Sequence, residues 1–275
     1  MEFDLYRNDG SILFNNGPLL ASKLAVVTST SGFITDFKQL NSTHVVIVNY
    51  DQHCITMFNR EDKSTRVLAG ECGVSGYKDG VSARFDYPWG IEVDERNPGH
   101  LLITDQNNGA LRAVDVTSGT VSTVIRTGFL VPTGLTWYNG RLLVVNSDYI
   151  SEVTWKIDGT VTNNILTGSR NRGYRDGAFT GAQFNNPYNI HRWRDDLFLV
   201  ADYDNKRLRL LDMTKKKVLP VCVGSTTNCT ASTSLSTNPR SLLIGNDTVY
   251  VGGWGGKGIV KLVSTFTIII KCCLK

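Results

Sequence analysis

Four histidines are the side chains that a catalytic metal would need first. The chain contains His44, His53, His100 and His191. A catalytic zinc ion takes three converging protein ligands, most often histidines. The four histidines fall at different positions of the repeated unit described below, so we expect them not to share a metal. The sequence therefore predicts no metal site and no cofactor, with His191 as a structural histidine.

Other catalytic signatures are missing from the sequence. It contains no Gly-x-Ser-x-Gly nucleophile motif and no phosphate-binding loop. It also lacks an Asp-x-Asp-x-Asp loop that would gather the oxygen ligands calcium requires. We assign no catalytic residue, and the sequence favours a protein without catalysis, although the enzyme question stays open.

Aromatic and arginine side chains are the second group that points to function, because they are the usual anchors of interfaces. The candidate interface residues are Tyr77, Trp89, Arg112, Tyr174, Arg175, Tyr188 and Arg209. Packing of the same rings inside the fold is an equally open interpretation. Further arginines, with Tyr174 or Trp193 to stack on bases, also fit an RNA-binding face. The net charge of +4 is low for a strong RNA binder, so nucleic acid is not the favoured partner.

Cysteines and glycan acceptors indicate the compartment. Six cysteines are present, at positions 54, 72, 222, 229, 272 and 273, and buried free thiols are the alternative to disulfides. Asn-x-Ser/Thr triplets predict glycosylation at Asn41, Asn228 and Asn246. The first residues do not resemble a signal peptide, and no run of eighteen apolar residues predicts a spanning helix. We therefore expect a piece of a longer secreted or membrane-anchored protein.

A copied segment sets the arrangement of strands that must position these residues. Residues 76–80 read Gly-Tyr-Lys-Asp-Gly, and residues 173–177 read Gly-Tyr-Arg-Asp-Gly. The offset of 173 − 76 = 97 residues signals a repeat architecture. Within each unit we predict four short strands, a to d. The predicted ends of strand b are Asn49, Asp105, Asn146, Asp202 and Gly253.

The spacing of these marks predicts an all-β propeller of four-stranded blades. The shortest spacing, 146 − 105 = 41 residues, matches one blade. Longer spacings are explained by crossover inserts, which are the two copies and residues 225–237. We expect about six ring positions with an incomplete N-terminal blade. The predicted division is a partial blade of two strands at 1–17, blades over 18–264, and a last strand and tail at 265–275.

The repeat resembles the NHL-repeat β-propeller family, most closely its extracellular members. The resemblance rests on Leu-Ala-Gly at 68–70, both copied segments, Pro88 and Pro187, and an Asp, Asn and Leu-Arg series at 105–112 and again at 202–209. It covers roughly residues 30–264. The third full unit, whose strand b ends at Asn146, lacks the copied segment. The fifth, whose strand b ends at Gly253, lacks the Asp.

The resemblance implies a disulfide and a range of functions. Extracellular members pair a cysteine at the start of strand c with one in the following crossover, where Cys54 and Cys72 stand here. Cys222 and Cys229 are expected to close the third insert in a similar way. The favoured function is a non-catalytic extracellular scaffold that binds another protein or a ligand. The alternatives are a propeller enzyme, similar to a peptidyl-hydroxyglycine lyase or a lactonase, and an RNA-binding NHL domain.

Overall fold

Strands are the only regular elements in the described part of the chain. The computed structural model describes residues 12–14, 25–27, 33–221, 235, 238–245, 248–253 and 259–262. The chain forms two compact units. Unit 1 comprises Met1–Leu142 with Val153–Asn163, and unit 2 comprises Leu143–Glu152 with Asn164–Lys275. No helix in the described residues has the length and apolarity needed to cross a bilayer.

The strands follow one another in groups. The first ten are β1 (Ile12–Phe14), β2 (Ala25–Val27), β3 (Ile34–Gln39), β4 (His44–Asn49), β5 (Cys54–Asn59), β6 (Thr65–Ala69), β7 (Pro88–Val93), β8 (His100–Asp105), β9 (Ala110–Asp115) and β10 (Val121–Ile125). The next nine are β11 (Pro132–Tyr138), β12 (Arg141–Asn146), β13 (Tyr149–Trp155), β14 (Val161–Gly168), β15 (Gly177–Ala178), β16 (Pro187–Arg194), β17 (Leu197–Asp202), β18 (Arg207–Asp212) and β19 (Lys217–Pro220). The last three described strands are β20 (Pro239–Gly245), β21 (Thr248–Gly253) and β22 (Ile259–Leu262).

Each group of strands forms one sheet in sequence order. The sheets are β1-β2, β3-β4-β5-β6, β7-β8-β9-β10, β11-β12-β13-β14, β16-β17-β18-β19 with β15 added beyond β19, and β20-β21-β22. Neighbouring strands are antiparallel wherever the register is defined; for example, Asp105 faces Ala110 between β8 and β9. Repetition of a four-stranded antiparallel sheet, one sheet for each repeat of the sequence, is the blade architecture of a β-propeller. The predicted fold class is therefore confirmed.

Burial distinguishes the middle strands of a sheet from its outer strand. In β8 all residues after His100 are buried, whereas residues 65–67 of β6 are exposed. A strand whose two faces are both covered becomes a continuous apolar run. In unit 1, Val48, Ile55, Ile91 and Leu101 belong to one apolar core cluster. Unit 2 has its own cluster, which draws on β17, β18, β19, β20 and β21.

A glycine lets the first strands of two successive sheets in unit 1 approach closely. The Gly90 N–H donates to the Thr104 hydroxyl at 2.8 Å, and that hydroxyl donates to the Thr133 carbonyl at 2.6 Å. A Cβ atom added at Gly90 would lie 2.6 Å from the same carbonyl oxygen. The close contact between β7 and β11 thus requires glycine at this position.

The predicted ends of strand b agree with the structure in all five units. Strands β4, β8, β12, β17 and β21 end at Asn49, Asp105, Asn146, Asp202 and Gly253. At the N-terminus, Ile12–Phe14 pairs with Ala25–Val27, so this sheet extends past the predicted boundary at residue 17. The predicted strand at 4–7, most of the third insert and the tail at 265–275 lie outside the described residues. The count of six ring positions stays a prediction.

Candidate functional site

The two copied segments lie along the outer edges of two sheets. In unit 1, Gly80 and Val121 of β10 exchange backbone hydrogen bonds of 2.8 and 3.1 Å. In unit 2, the end of the second copy forms β15, which pairs with β19. An outer strand otherwise presents unpaired backbone groups that invite pairing with other chains. Each copy therefore covers the edge of its sheet, and we refer to them as the first edge segment (residues 76–80) and the second edge segment (residues 173–177).

A buried arginine fastens the first edge segment to the sheet. Arg112 of β9 is 0% exposed. Its Nη1 donates to Asp105 Oδ2 at 2.5 Å, and its Nη2 donates to Asp79 Oδ1 at 2.6 Å. The guanidinium also donates to the carbonyls of Lys78 and Arg84, at 2.8 and 3.2 Å. One side chain thus holds both ends of the loop that follows Tyr77, and its charge is compensated by two carboxylates.

Asp79 completes this clamp from the edge segment. Its Oδ2 accepts the backbone N–H of Thr123 on β10 at 3.1 Å. The carboxylate therefore takes the place of a backbone carbonyl next to the Gly80–Val121 pairing. This aspartate connects the outer strand to Arg112, which lies one strand further in.

Unit 2 repeats the clamp with its own residues. Arg209 of β18 is 0% exposed and donates to Asp202 Oδ2 at 2.8 Å and to Asp176 Oδ1 at 2.6 Å. It also donates to the carbonyls of Arg175 and Gln183, at 2.8 and 3.0 Å. The two copies therefore agree in hydrogen bonding as well as in sequence.

The aspartate at the end of strand b is fully engaged in both units. Asp105 accepts the N–H of Asp86 at 2.8 Å, and Asp202 accepts the N–H of Asn185 at 2.9 Å. Asn108 and Asn205 bridge these carboxylates to the carbonyls of Gly76 and Gly173. Burial raises the pKa of Asp105 and Asp202, and the bonds from asparagine, arginine and backbone oppose that rise. These carboxylates are structural groups.

The described residues of the first and third full units, which lack a copied segment, form no such clamp. In the first full unit the residue matching Asp105 is Asn49, whose Nδ2 donates to Thr56 Oγ1 at 2.8 Å. In the third, Asn146 Nδ2 donates to Ser151 Oγ at 3.4 Å. An Asp at the end of strand b, followed seven residues later by an Arg, thus occurs in the two units in which an edge segment covers the sheet. That correlation is the sequence signal for the clamp, and sequence reasoning missed it.

The burial of three candidate interface residues corrects the sequence-based assignment. Arg112 and Arg209 are 0% exposed and Trp89 is 2% exposed, so these side chains lie inside the fold and offer no surface to a partner. The arginines are drawn inward by the aspartates. Trp89 packs edge-on against Tyr50 with 5.1 Å between ring centroids. Tyr188 is half-buried against Tyr203, with 4.8 Å between their ring centroids.

The remaining candidates are exposed on the edge segments. Tyr77 is 40% exposed and Tyr174 is 37% exposed, and Arg175 is also exposed. The guanidinium carbon of Arg112 lies 4.8 Å from the Tyr77 ring centroid, and that of Arg209 lies 4.6 Å from the Tyr174 ring centroid. Each tyrosine ring is thus supported by a buried cation and keeps part of its surface open.

The histidines take separate local roles. The Nδ1 of buried His53 accepts the N–H of Tyr87 at 3.0 Å, at a tyrosine whose φ is 54°. His44 Nδ1 lies 2.8 Å from the Thr43 hydroxyl, His100 Nε2 lies 3.8 Å from Asp115, and His191 Nδ1 lies 3.2 Å from the Arg192 carbonyl. Among the described residues no three His, Cys, Asp or Glu side chains form a group able to hold a metal ion.

The structure contains the expected disulfide between Cys54 and Cys72. Their Cα atoms are 5.0 Å apart, and the bond joins the start of β5 to the crossover after β6. Asn41 is exposed in the β3–β4 turn, where its Oδ1 accepts the Thr43 N–H at 2.9 Å. The other four cysteines, Asn228 and Asn246 lie outside the described residues.

Comparison with known proteins identifies the fold and no family. No protein-family model matches the chain, and no curated protein matches it by sequence. Solved structures do match. An auxiliary nutrient binding protein from Bacteroides ovatus superposes with a TM-score of 0.69 at 16% identity, over 87% of this chain and 61% of that protein. A chain of the nidogen/laminin complex gives 0.62 at 13% identity, over 90% of this chain and 84% of that one.

An enzyme is also among the similar structures. Virginiamycin B lyase from Staphylococcus aureus gives a TM-score of 0.58 at 15% identity, over 93% of this chain and 78% of the lyase. The chain thus spans less than two thirds of the Bacteroides protein and most of the other two. Identities this low carry information on fold alone, and by fold the chain is similar to β-propeller proteins.

Proposed function

We propose that this chain is an extracellular NHL-type β-propeller that serves as a non-catalytic scaffold for binding a protein or another extracellular ligand. The observation that carries the proposal is the pair Tyr77 and Tyr174. These equivalent residues, one in each unit, remain 40% and 37% exposed on segments that are otherwise fastened into the sheet. The edge segments are the proposed contact surfaces.

The support beneath each tyrosine suits it to be an interface anchor. The ring lies against a buried guanidinium whose hydrogen bonds fix its position, and the Tyr77 hydroxyl is 2.8 Å from the Thr123 hydroxyl. A side chain held in this way loses little conformational entropy on binding. Val81 is 77% exposed next to the first edge segment and adds apolar surface there.

An extracellular location is supported by the disulfide and the exposed glycan acceptor. Disulfides form and persist in oxidising compartments. Asn41 lies in an exposed turn, where an oligosaccharide would meet no packed neighbour. Peptide mapping of material secreted by eukaryotic cells checks both points, since it should recover a Cys54–Cys72 linkage and a glycan on Asn41.

The enzyme alternative has less support in the described residues. The Asp–Arg clamps use carboxylates that would otherwise be candidates for acid–base chemistry. His53 uses its Nδ1 to accept the Tyr87 N–H. Stoichiometric zinc in the purified protein, together with turnover of a peptidyl-hydroxyglycine or a lactone, would favour the enzyme instead.

The proposal is tested by comparing two double variants of the secreted chain for binding to cell surfaces and extracellular matrix. We expect Tyr77→Ala with Tyr174→Ala to weaken saturable binding by roughly tenfold or more, as loss of interface anchors does. The matched control, Val67→Ala with Ile157→Ala, removes side chains that are 50% and 111% exposed elsewhere in unit 1. Unchanged binding by a folded tyrosine variant, or equal loss in the control, would contradict the role of the edge segments.

A further inference from the structure

The two units differ in charge. Unit 2 contains 16 Lys and Arg residues and nine Asp and Glu residues, which gives a net charge of +7. Unit 1 contains 13 basic and 16 acidic residues, which gives −3. The net charge of +4 for the whole chain is therefore the sum of a basic unit and an acidic unit.

The difference in charge between the two units is visible in the residues that lead into the two edge segments. The approach to the second edge segment, residues 169–175, reads Ser-Arg-Asn-Arg-Gly-Tyr-Arg and contains three arginines and no acid. At the same offset, the matching residues 72–78 read Cys-Gly-Val-Ser-Gly-Tyr-Lys and contain one base and no acid. Since the clamp is the same in both copies, Arg170 and Arg172 are not needed to hold the segment.

The arginines of this segment are held in place and remain open to solvent. The Arg172 side chain is 64% exposed, and its Nε lies 3.2 Å from Asp148 Oδ2. Arg170 hydrogen-bonds to the neighbouring Tyr149 hydroxyl. Arg175 is exposed, and the Arg207 guanidinium lies 4.8 Å from the Tyr174 ring centroid. Six residues of chain span at most about 20 Å, so the Cα atoms of Arg170, Arg172 and Arg175 lie within that distance of one another.

We refer to Arg170, Arg172, Arg175 and Arg207 as the arginine row, and among the described residues the acids close to it in sequence are mostly already paired. Asp148 is only 7% exposed and is already paired with Arg172, and Asp176 is paired with Arg209. Asp204 is the exposed acid in the turn before Arg207. Guanidinium groups bind oxyanions through two parallel N–H groups. Several arginines that follow one another along one exposed segment suit a linear ligand with repeated oxyanions.

Two observations distinguish among linear anions. In the described part of unit 2 the large apolar side chains that are exposed are Ile165 and Tyr174, so the surface lacks the apolar core typical of a protein interface. The Tyr174 ring contacts the guanidinium groups of Arg207 and Arg209, at 4.8 and 4.6 Å. These two guanidinium groups cover part of the ring face on which a nucleic-acid base would have to stack.

We infer that the row formed by Arg170, Arg172, Arg175 and Arg207 binds a linear sulfated polysaccharide. Sulfate esters supply repeated oxyanions without bases, and such chains belong to the extracellular space. The inference rests on the proposed function, because it takes the chain as an extracellular binding scaffold and names one class of ligand for the second edge segment.

The test measures binding of the intact chain to heparin and to desulfated heparin over a range of salt concentrations. We expect heparin binding that weakens with salt and no measurable binding of the desulfated chain. Replacing Arg170, Arg175 and Arg207 with Ser should raise the Kd by roughly tenfold or more, because a hydrogen bond to a charged group carries about a factor of ten. Arg172 is left in place because Asp148 depends on it.

The matched control removes the same charge from unit 1 by replacing the exposed residues Lys63, Arg66 and Lys156, which lie outside the first edge segment, with Ser. We expect this control to keep the wild-type Kd within about twofold and the wild-type slope of log Kd against log salt, while the unit 2 variant loses about one unit of slope for each arginine. Equal losses in both variants, no heparin binding at low salt, or tighter binding of single-stranded RNA would each overturn the inference. If heparin binding fails while tyrosine-dependent matrix binding persists, this inference falls and the scaffold proposal stands.

Discussion

Removing the clamp arginine should destabilise the protein strongly, and a second substitution should recover part of the loss. Arg112 makes four hydrogen bonds to two carboxylates and two carbonyls and is fully buried. Arg112→Thr leaves Asp105, which is also 0% exposed, as a buried charge without its cation. Breaking a buried pair from one side costs about 3–5 kcal/mol, a large part of the roughly 5–15 kcal/mol that stabilises a domain.

The chain itself contains the replacement pair. Asn49 and Thr56 occupy the same positions in the first full unit and are joined by a 2.8 Å hydrogen bond. Asp105→Asn with Arg112→Thr should reproduce this pair and remove the buried charge. We expect the double variant to regain roughly half of the stability lost by Arg112→Thr alone. The rest stays lost because nothing then holds Asp79 and the first edge segment.

Urea denaturation measures the stability, and limited trypsin digestion measures the release of the edge segment. The carbonyls of Lys78 and Arg84 both accept from Arg112, so these two tryptic sites are protected in the wild type. Both clamp variants should be cleaved there roughly tenfold faster or more. The exposed Arg66→Thr on β6 serves as the neutral control. A double variant as unstable as the single one, or an Arg112→Thr protein as stable as the wild type, would refute the buried-charge argument.

Two further predictions concern unit 1. Burial raises the pKa of Asp36 to about 7, although its carboxylate accepts the N–H of Ile91 at 3.1 Å. Because the folded-state pKa lies above the unfolded one, the contribution of Asp36 to stability should be largest below pH 4 and fall by at most about 4 kcal/mol as the pH rises to 7. Asp36→Asn should remove this slope in urea titrations; a slope that is unchanged in the variant contradicts it. Replacing Cys54 with Ala and Cys72 with Ser opens an 18-residue separation and should cost about 3 kcal/mol in urea, whereas a midpoint equal to the wild type's would show that the disulfide does not contribute.

The sequence was sufficient for the strands because their signals are local. Turn residues, apolar runs and a repeat of fixed length placed the ends of strand b at Asn49 and Asp105 without knowledge of the tertiary structure. The burial of the arginines, in contrast, depends on contacts between residues that are distant in sequence. Arg112 meets Asp79, 33 residues earlier in the chain, only after the edge segment folds back onto β10. The sequence pattern alone therefore does not distinguish a buried arginine from one at the surface.

Comparison of the two copies separates the residues that hold the frame from those free to recognise a ligand. The clamp residues common to both units, which are the aspartates and the arginine, hydrogen-bond to one another inside the fold. Arg170 and Arg172 have no counterpart in the first copy, and Arg172 is largely exposed. Substitutions at these clamp positions should therefore change stability first. Substitution of Arg170, which is not paired with a buried acid in this way, should change binding while the midpoint of unfolding stays constant, and measuring both quantities on one set of variants tests that division directly.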